Sequence, residues 1–173
     1  LGNMWFATYD GVNKYDGYAF TVYQHDESDP NSIANDIARI VMTDSKGRVW
    51  IGTRDGLSYY DEEKDKFQNF FYEKNGKRLQ ITGIVEVSPD LLLVSTLEGL
   101  TMFDIPSSQF ADNALNSTMR QIVASTLYRY GEQIYIGTPK DGIYNYSISQ
   151  KKFEKLTYIP NSKQIQSILQ QSP

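Results

Sequence analysis

Four carboxylates recur at matching positions of the sequence and are the first candidates for chemistry. They are Asp10, Asp55, Glu98 and Asp141. If the fold brought them to one axis, they would form an acidic ring that could hold a metal ion or a substrate. Each of them, however, directly precedes a glycine, and an Asp-Gly pair is typical of a tight hairpin turn. We therefore interpret the four acids as turn residues and predict no metal site.

Catalytic groups of the common kinds are scarce in this chain. His25 is the only histidine, and there is no cysteine. A Ser-His-Asp triad or a histidine-rich zinc site could therefore contain at most one histidine. The absence of cysteine excludes thiolate nucleophiles, disulfides and cysteine-ligated metals. Glycoside hydrolysis needs two positioned carboxylates, and no pair of acids is marked out by its spacing. The sequence thus predicts no catalytic residue and no cofactor.

A short repeat positions the four acids. Its copies are residues 5–12, 50–57, 93–100 and 135–143, the last with one residue inserted. The turn glycines are Gly11, Gly56, Gly99 and Gly142, at spacings of 45, 43 and 43 residues. A period of about 40–45 residues is that of one four-stranded propeller blade. The aromatic residues Trp5, Trp50 and Tyr135 begin the second strand of their blades, and we predict that they pack between blades instead of stacking on a sugar.

The residue before each acid varies between copies, which makes it a candidate for ligand contact. These residues are Tyr9, Arg54, Leu97 and Lys140. Function is often added to a repeat scaffold at variable positions of constant turns. In propellers these turns share a face with the links between blades, and such a face could supply a sugar with charged groups and an aromatic platform. We predict a ligand site formed by Tyr9, Arg54, Lys140, His25 and Arg78. The alternative is that these side chains form a solvated rim.

The strand pattern predicts an all-β fold, a β-propeller segment of four four-stranded blades with about 16 strands. The repeats cover approximately residues 1–32, 33–76, 77–117 and 118–160 of a single domain, 1–173. The chain opens at a second strand near Met4, and residues 161–173 supply the first strand of the next or closing blade. Three arrangements remain open: a closed four-bladed ring, two copies forming an eight-bladed ring, and an arc of a larger ring with exposed edges.

Composition limits the classes of partner. The net charge of −4 argues against a surface that tracks nucleic-acid phosphates. The longest apolar run is residues 91–94, far short of the roughly 20 residues that cross a bilayer. No signal peptide is visible, and the repeat begins four residues after the start of the chain, so we expect a piece of a longer protein.

The repeat also resembles a known family. Residues 47–57 (GRVWIGTRDGL), followed by Tyr60-Asp61, resemble the two-component-regulator propeller repeat, and so do residues 2–12 (GNMWFATYDGV), followed by Tyr15-Asp16. The link over residues 20–37 is also typical of that family. The resemblance covers nearly the whole chain and is weakest over residues 107–118.

This resemblance implies the periplasmic sensor region of a hybrid two-component histidine kinase from glycan-degrading gut bacteria. It also implies further propeller repeats, a β-sandwich, one membrane helix, and kinase, receiver and DNA-binding modules outside this chain. The expected ligands are oligosaccharides.

We therefore expect a non-catalytic sensor segment that binds an oligosaccharide or frames a site for one. One alternative is a structural spacer or dimerisation propeller whose ligand binds elsewhere, and another is a propeller glycosidase or lyase. The expected partners are the rest of the same polypeptide and, in the dimeric case, a second copy. No direct contact with nucleic acid and no membrane span are expected.

Overall fold

A computed structural model describes residues 2–111 and 115–156 of the chain. These residues form 17 β-strands and a single four-residue helix. Every strand pair among them is antiparallel. The predicted all-β class is confirmed.

The first two sheets are meanders, because each strand pairs with the next one along the chain. The first sheet contains β1 (Met4–Ala7), β2 (Val12–Tyr15) and β3 (Phe20–Tyr23). The second contains β4 (Ala38–Thr43), β5 (Val49–Thr53), β6 (Leu57–Asp61) and β7 (Lys66–Phe70). A small hairpin of β8 (Glu73–Lys74) and β9 (Lys77–Arg78) follows. This hairpin was not predicted.

The third and fourth sheets repeat the four-stranded meander. The third contains β10 (Ile81–Ser88), β11 (Leu91–Thr96), β12 (Gly99–Asp104) and β13 (Gln109–Phe110). After the helix α1 (Ser117–Arg120), the fourth contains β14 (Thr126–Tyr130), β15 (Gln133–Gly137), β16 (Ile143–Ser147) and β17 (Lys152–Lys155). The predicted further strand in residues 161–173 lies outside the described residues. The number of blades and the closure of a ring therefore stay predictions.

Successive sheets pack face to face over three hydrophobic cores. The first core lies between the first and second sheets and includes Val12, Ile51 and Phe67. The second and third cores lie between the following pairs of sheets. Strands β1, β4, β10 and β14 contact one another in that order, so the leading strands of the sheets lie side by side. This is the arrangement of neighbouring propeller blades.

Two aromatic residues of the repeat connect neighbouring sheets. The ring of Trp5 lies 4.7 Å from that of Tyr60 in the second sheet. The buried ring of Trp50 meets Phe103 of the third sheet edge-on, with centroids 5.7 Å apart. Tyr135 occupies the matching position of β15 and is half-buried. Such contacts contribute beyond the area they bury, because ring edges and faces attract each other.

The same hydrogen-bonded turn joins β1 to β2, β5 to β6, β11 to β12 and β15 to β16. In all four copies a threonine hydroxyl donates to the carbonyl of the turn glycine and accepts from the amide of the acid that precedes this glycine. The four threonines are Thr8, Thr53, Thr96 and Thr138. The hydroxyl satisfies backbone groups that a tight turn would otherwise leave unpaired.

The turn glycine is needed for a close approach of the backbone. A Cβ at Gly99 would overlap the carbonyl oxygen of Arg120, and a Cβ at Gly56 would lie 2.6 Å from the carbonyl oxygen of Phe70. The φ of Gly99 is +138°, a region that favours glycine, whereas Gly56 is not among the positive-φ glycines. The turn at Asp55-Gly56 joins two hairpin strands as expected, but it lacks the positive φ angles that Asp-Gly pairs usually supply, and glycine is needed there for space.

A buried carboxylate fixes the turn between β4 and β5. Asp44 accepts hydrogen bonds from Trp50 Nε1 at 2.9 Å and from Arg48 Nε at 2.6 Å. Burial alone would raise the pKa of Asp44, but the hydrogen bonds from Trp50 and Arg48 outweigh it and hold the pKa below its usual range. Arg48 also donates to the carbonyl of Pro89 and Ser45 donates to Glu86, so this turn is clamped to the third sheet.

Candidate functional site

Three acids of the repeat bind side chains of the segments that join the sheets, and the fourth binds side chains of its own sheet. Asp10 accepts from Gln24 at 2.9 Å, and Asp55 accepts from Asn35 at 2.8 Å. Glu98 pairs with Lys74 at 3.1 Å, while Asp141 accepts hydrogen bonds from Lys155 and Tyr144. Among the described residues, no group of three or more histidine, cysteine, aspartate or glutamate side chains could hold a metal ion. Asp10, Asp55 and Glu98 therefore attach the links to the turns, whereas Asp141 holds its turn against β16 and β17.

These contacts place links and turns at the same end of the sheets. The backbone amide of Arg54 also donates to the carbonyl of Ile37, at 3.0 Å, which ties the second turn to the link before β4. Variable turn residues and polar link residues are therefore neighbours on one end of the molecule.

A cleft of about 560 Å³ runs along the outer side of the second sheet. One wall is the link that follows β3, and the other is β7 with the residues after it. The link is fixed to this strand because Phe67 donates its amide to the carbonyl of Asn31, and Asn69 Nδ2 donates to the carbonyl of Ser32, each at 2.8 Å. His25 and Arg78 both line this cleft.

The link is held in its conformation by hydrogen bonds from its own side chains. Asp26 accepts from the hydroxyl and the amide of Ser28, and Asp29 accepts from the amide of Asn31. These hydrogen bonds lower the pKa values of Asp26 and Asp29, so both carboxylates are ionised at neutral pH. The carboxylates of Asp26 and Asp29 therefore accept hydrogen bonds within Asx turns of the link itself.

The tautomer of His25 follows from its position. Its Nδ1 lies 2.7 Å from the carbonyl oxygen of Ile33, and a carbonyl can only accept. Nδ1 therefore carries a proton, and within the described residues Nε2 has no hydrogen-bond partner. In the neutral ring, Nε2 is free to accept a hydrogen bond from a hydroxyl group.

An aromatic residue and a cation form the second part of the cleft. The guanidinium carbon of Arg78 lies 3.7 Å from the ring centroid of Phe71, a cation–π stack. Arg78 Nε is 3.7 Å from Glu73, too far for a direct hydrogen bond. The N–H donors of Arg78 and the exposed ring of Phe71 thus lie next to each other in the cleft.

The other predicted ligand residues lie outside this cleft. Tyr9 is exposed and stacks with Arg39, whose Nη1 donates to the Tyr9 hydroxyl at 2.6 Å. Arg54 and Lys140 are exposed on their own turns. Of the five predicted residues, the structure brings only His25 and Arg78 into one cleft.

Phe71 is the residue that the sequence reasoning missed. It follows Phe70 directly, and in an extended chain two consecutive side chains point to opposite sides. One of the two phenylalanines therefore had to face outward. Phe70 packs against the core between the second and third sheets, and Phe71 is exposed.

A comparison with protein-family models gives no match, and a comparison with curated proteins gives none either. Solved structures do match. The extracellular domain of the hybrid two-component system BT3049 from B. thetaiotaomicron aligns with a TM-score of 0.69 and 26% identity, over 91% of this chain and 23% of that one. The resemblance to the two-component-regulator propeller family is confirmed.

Two further structures share the fold. The extracellular domain of the hybrid two-component system BT4673 from the same organism aligns with a TM-score of 0.70 and 17% identity, over 95% of this chain and 22% of that one. The WD40 domain of Neurospora crassa Pan2 aligns with a TM-score of 0.60 and 13% identity, over 88% of this chain and 45% of that one. WD40 domains are β-propellers, so this match fits a propeller fold. The chain spans less than a quarter of each of the two B. thetaiotaomicron chains described above.

Proposed function

We propose that this chain is a non-catalytic segment of an extracytoplasmic, periplasmic sensor. The observation that supports the proposal is the 26% identity, over 91% of the chain, to the extracellular domain of a hybrid two-component system. Signalling output would come from kinase modules elsewhere in the polypeptide. The one helix among the described residues, α1, lacks the length and hydrophobicity that a bilayer crossing requires.

The proposed ligand is an oligosaccharide, and the cleft beside β7 is its proposed site. A volume of about 560 Å³ falls within the range of roughly 300–1,000 Å³ that small-ligand sites occupy. Arg78 offers planar N–H donors to hydroxyl oxygens, while His25 Nε2 accepts from a hydroxyl hydrogen. The part of the Phe71 ring that is accessible to solvent offers an apolar surface to the C–H groups of a sugar ring. Tyr9, Arg54 and Lys140 remain proposed contacts for sugar units that extend beyond the cleft.

Signalling requires that the ligand favour one arrangement of the sensor. A ligand shifts a conformational equilibrium only by its difference in affinity for the two states. The cleft joins a link to the outer strand of the second sheet, so an oligosaccharide bound there would favour arrangements that keep these two walls together.

Calorimetric titration of the chain with oligosaccharides from a neutral plant glucan, a pectin and a sulfated host glycan tests this function. We expect one class to bind, and we expect Arg78→Ala to weaken its affinity at least about tenfold, a loss of about 1.4 kcal/mol. Lys152→Ala is the matched control, because Lys152 is exposed on β17, away from the cleft. Absence of binding by every class, or equal losses in the two variants, would refute the proposed site.

A further inference from the structure

The charged side chains that line the cleft beside β7 are unevenly paired. Each of its three cations has a carboxylate close by: Lys64 with Asp61 at 2.6 Å, Lys66 with Asp29 at 3.8 Å, and Arg78 with Glu73 at 3.7 Å. A cation that faces a carboxylate attracts an anionic ligand less strongly, because the carboxylate offsets its field. The positive charge of the cleft is therefore compensated by the protein itself.

Two carboxylates of the cleft have no such partner. Asp26 and Glu27 line the cleft from the link, and both are exposed. Within residues 2–111 and 115–156, neither of them forms an ion pair. The hydrogen bonds that Asp26 accepts come from Ser28, which is uncharged. In its neutral form His25 adds no charge, so the link side of the cleft carries an excess of negative charge.

This excess works against anionic ligands. A sulfate or uronate group in the cleft would be repelled by Asp26 and Glu27, and each cation that could attract it already faces a carboxylate. The net charge of −4 on the whole chain acts in the same direction. Binding sites commonly gain specificity from such a repulsive element as well as from attractive contacts.

An uncharged sugar meets no such repulsion. Its hydroxyl groups can donate to Asp26 and Glu27, and a hydrogen bond to a carboxylate is stronger than one between neutral groups. Its hydroxyl oxygens can accept from the N–H groups of Arg78. The unpaired carboxylates thus favour a ligand that has many hydroxyl donors and no negative charge.

We propose that the cleft selects uncharged oligosaccharides against those that carry uronate or sulfate groups, and that Asp26 and Glu27 determine this specificity. The charge selection rests on the proposed function, since it concerns the class of sugar that the same site takes. Both side chains are exposed, so solvent and salt weaken their repulsion, and we expect a difference in affinity of roughly fivefold.

Calorimetric titration of the 173-residue chain with a neutral glucan oligosaccharide, and with the same oligosaccharide after oxidation of primary hydroxyl groups to carboxylates, tests the charge selection. We expect the carboxylated form to bind about fivefold more weakly at low salt. The difference should fall below about twofold at about 1 M salt, where the Debye length is about 3 Å. Equal affinities at low salt, or a difference that persists at high salt, would overturn the charge selection.

Reversing one charge tests the role of the link. Glu27→Lys should reduce the difference in affinity between the two oligosaccharides to less than about twofold. Glu132→Lys is the matched control, because it makes the same change of net charge at an exposed position of the turn between β14 and β15, outside the cleft, and it should leave the difference unchanged. Equal effects of the two variants would show that net charge alone matters and that Glu27 has no special role. Circular dichroism of each variant establishes that it is folded.

Charge selection and the proposed function fail in different ways. If the pectin or the sulfated glycan binds, the neutral glucan does not, and Arg78→Ala weakens the binding, then the cleft is a sugar site but the charge selection is wrong. If no class of oligosaccharide binds, the proposed function fails and the charge selection fails with it.

Discussion

Replacing Thr53 by valine removes one hydroxyl group from a buried turn and keeps the branched shape of the side chain. Thr53 is completely inaccessible to solvent. Its hydroxyl donates to the carbonyl of Gly56 at 3.0 Å and accepts from the amides of Asp55 and Gly56 at 3.3 and 3.1 Å. The substitution therefore affects three backbone groups at once.

The expected loss of stability follows from what remains of these contacts. The carbonyl of Gly56 keeps its bond from the amide of Thr53 at 2.8 Å. The amide of Asp55 is only partly buried, so water can replace the hydroxyl there. The buried amide of Gly56 is left unpaired, and such a group costs about 1–3 kcal/mol. We therefore expect Thr53→Val to lower the free energy of unfolding by about 2 kcal/mol.

Urea unfolding, followed by circular dichroism, measures this loss as a shift of the midpoint at constant slope. Thr138→Val is the matched control, because Thr138 makes the same turn in a half-buried setting. It should cost less than about 1 kcal/mol, since water can reach the released groups. Equal losses for Thr53→Val and Thr138→Val would refute the reasoning from burial.

Two further predictions concern the turns. Gly99→Ala should destabilise the chain by more than about 3 kcal/mol, because the new Cβ would overlap the carbonyl of Arg120. Gly131→Ala is the control, since Gly131 is also at positive φ but has open space around it, and it should cost about 1 kcal/mol. Thermal unfolding measures both losses. Asp44→Asn should lower the free energy of unfolding at neutral pH. The difference in stability between Asp44→Asn and wild type should shrink as the pH falls below about 4, because the lowered pKa of Asp44 contributes stability only while the carboxylate is ionised. Equal costs for the two glycine variants, or a pH-independent effect of Asp44→Asn, would contradict these expectations.

The sequence predicted most strands because their pattern is local. Strands β5 and β11, for example, each consist of residues that alternate or run apolar up to the threonine of a repeated turn. The hairpin β8–β9 was missed because its four strand residues are all charged and show no apolar alternation. Its turn, Asn75-Gly76, has positive φ at both residues and was the available signal.

The candidate site was less predictable because tertiary packing creates it. His25 and Arg78 lie far apart in the sequence and meet one cleft only because the link after β3 hydrogen-bonds to β7. No local pattern specifies that contact. The attachment of the Asp44 turn to the third sheet is likewise non-local, because Ser45 and Arg48 bond residues that lie 41 positions away in the sequence. Sequence reasoning could name polar link residues, but it could not select those that share a cavity.

Hydrogen exchange of the chain with and without millimolar oligosaccharide tests the central claim most directly, because it locates the bound sugar. The cleft proposal predicts slower exchange in the link of residues 25–34 and in residues 66–71, with unchanged exchange in β17. Slower exchange elsewhere with none in these two segments, or no difference at any segment, would contradict it.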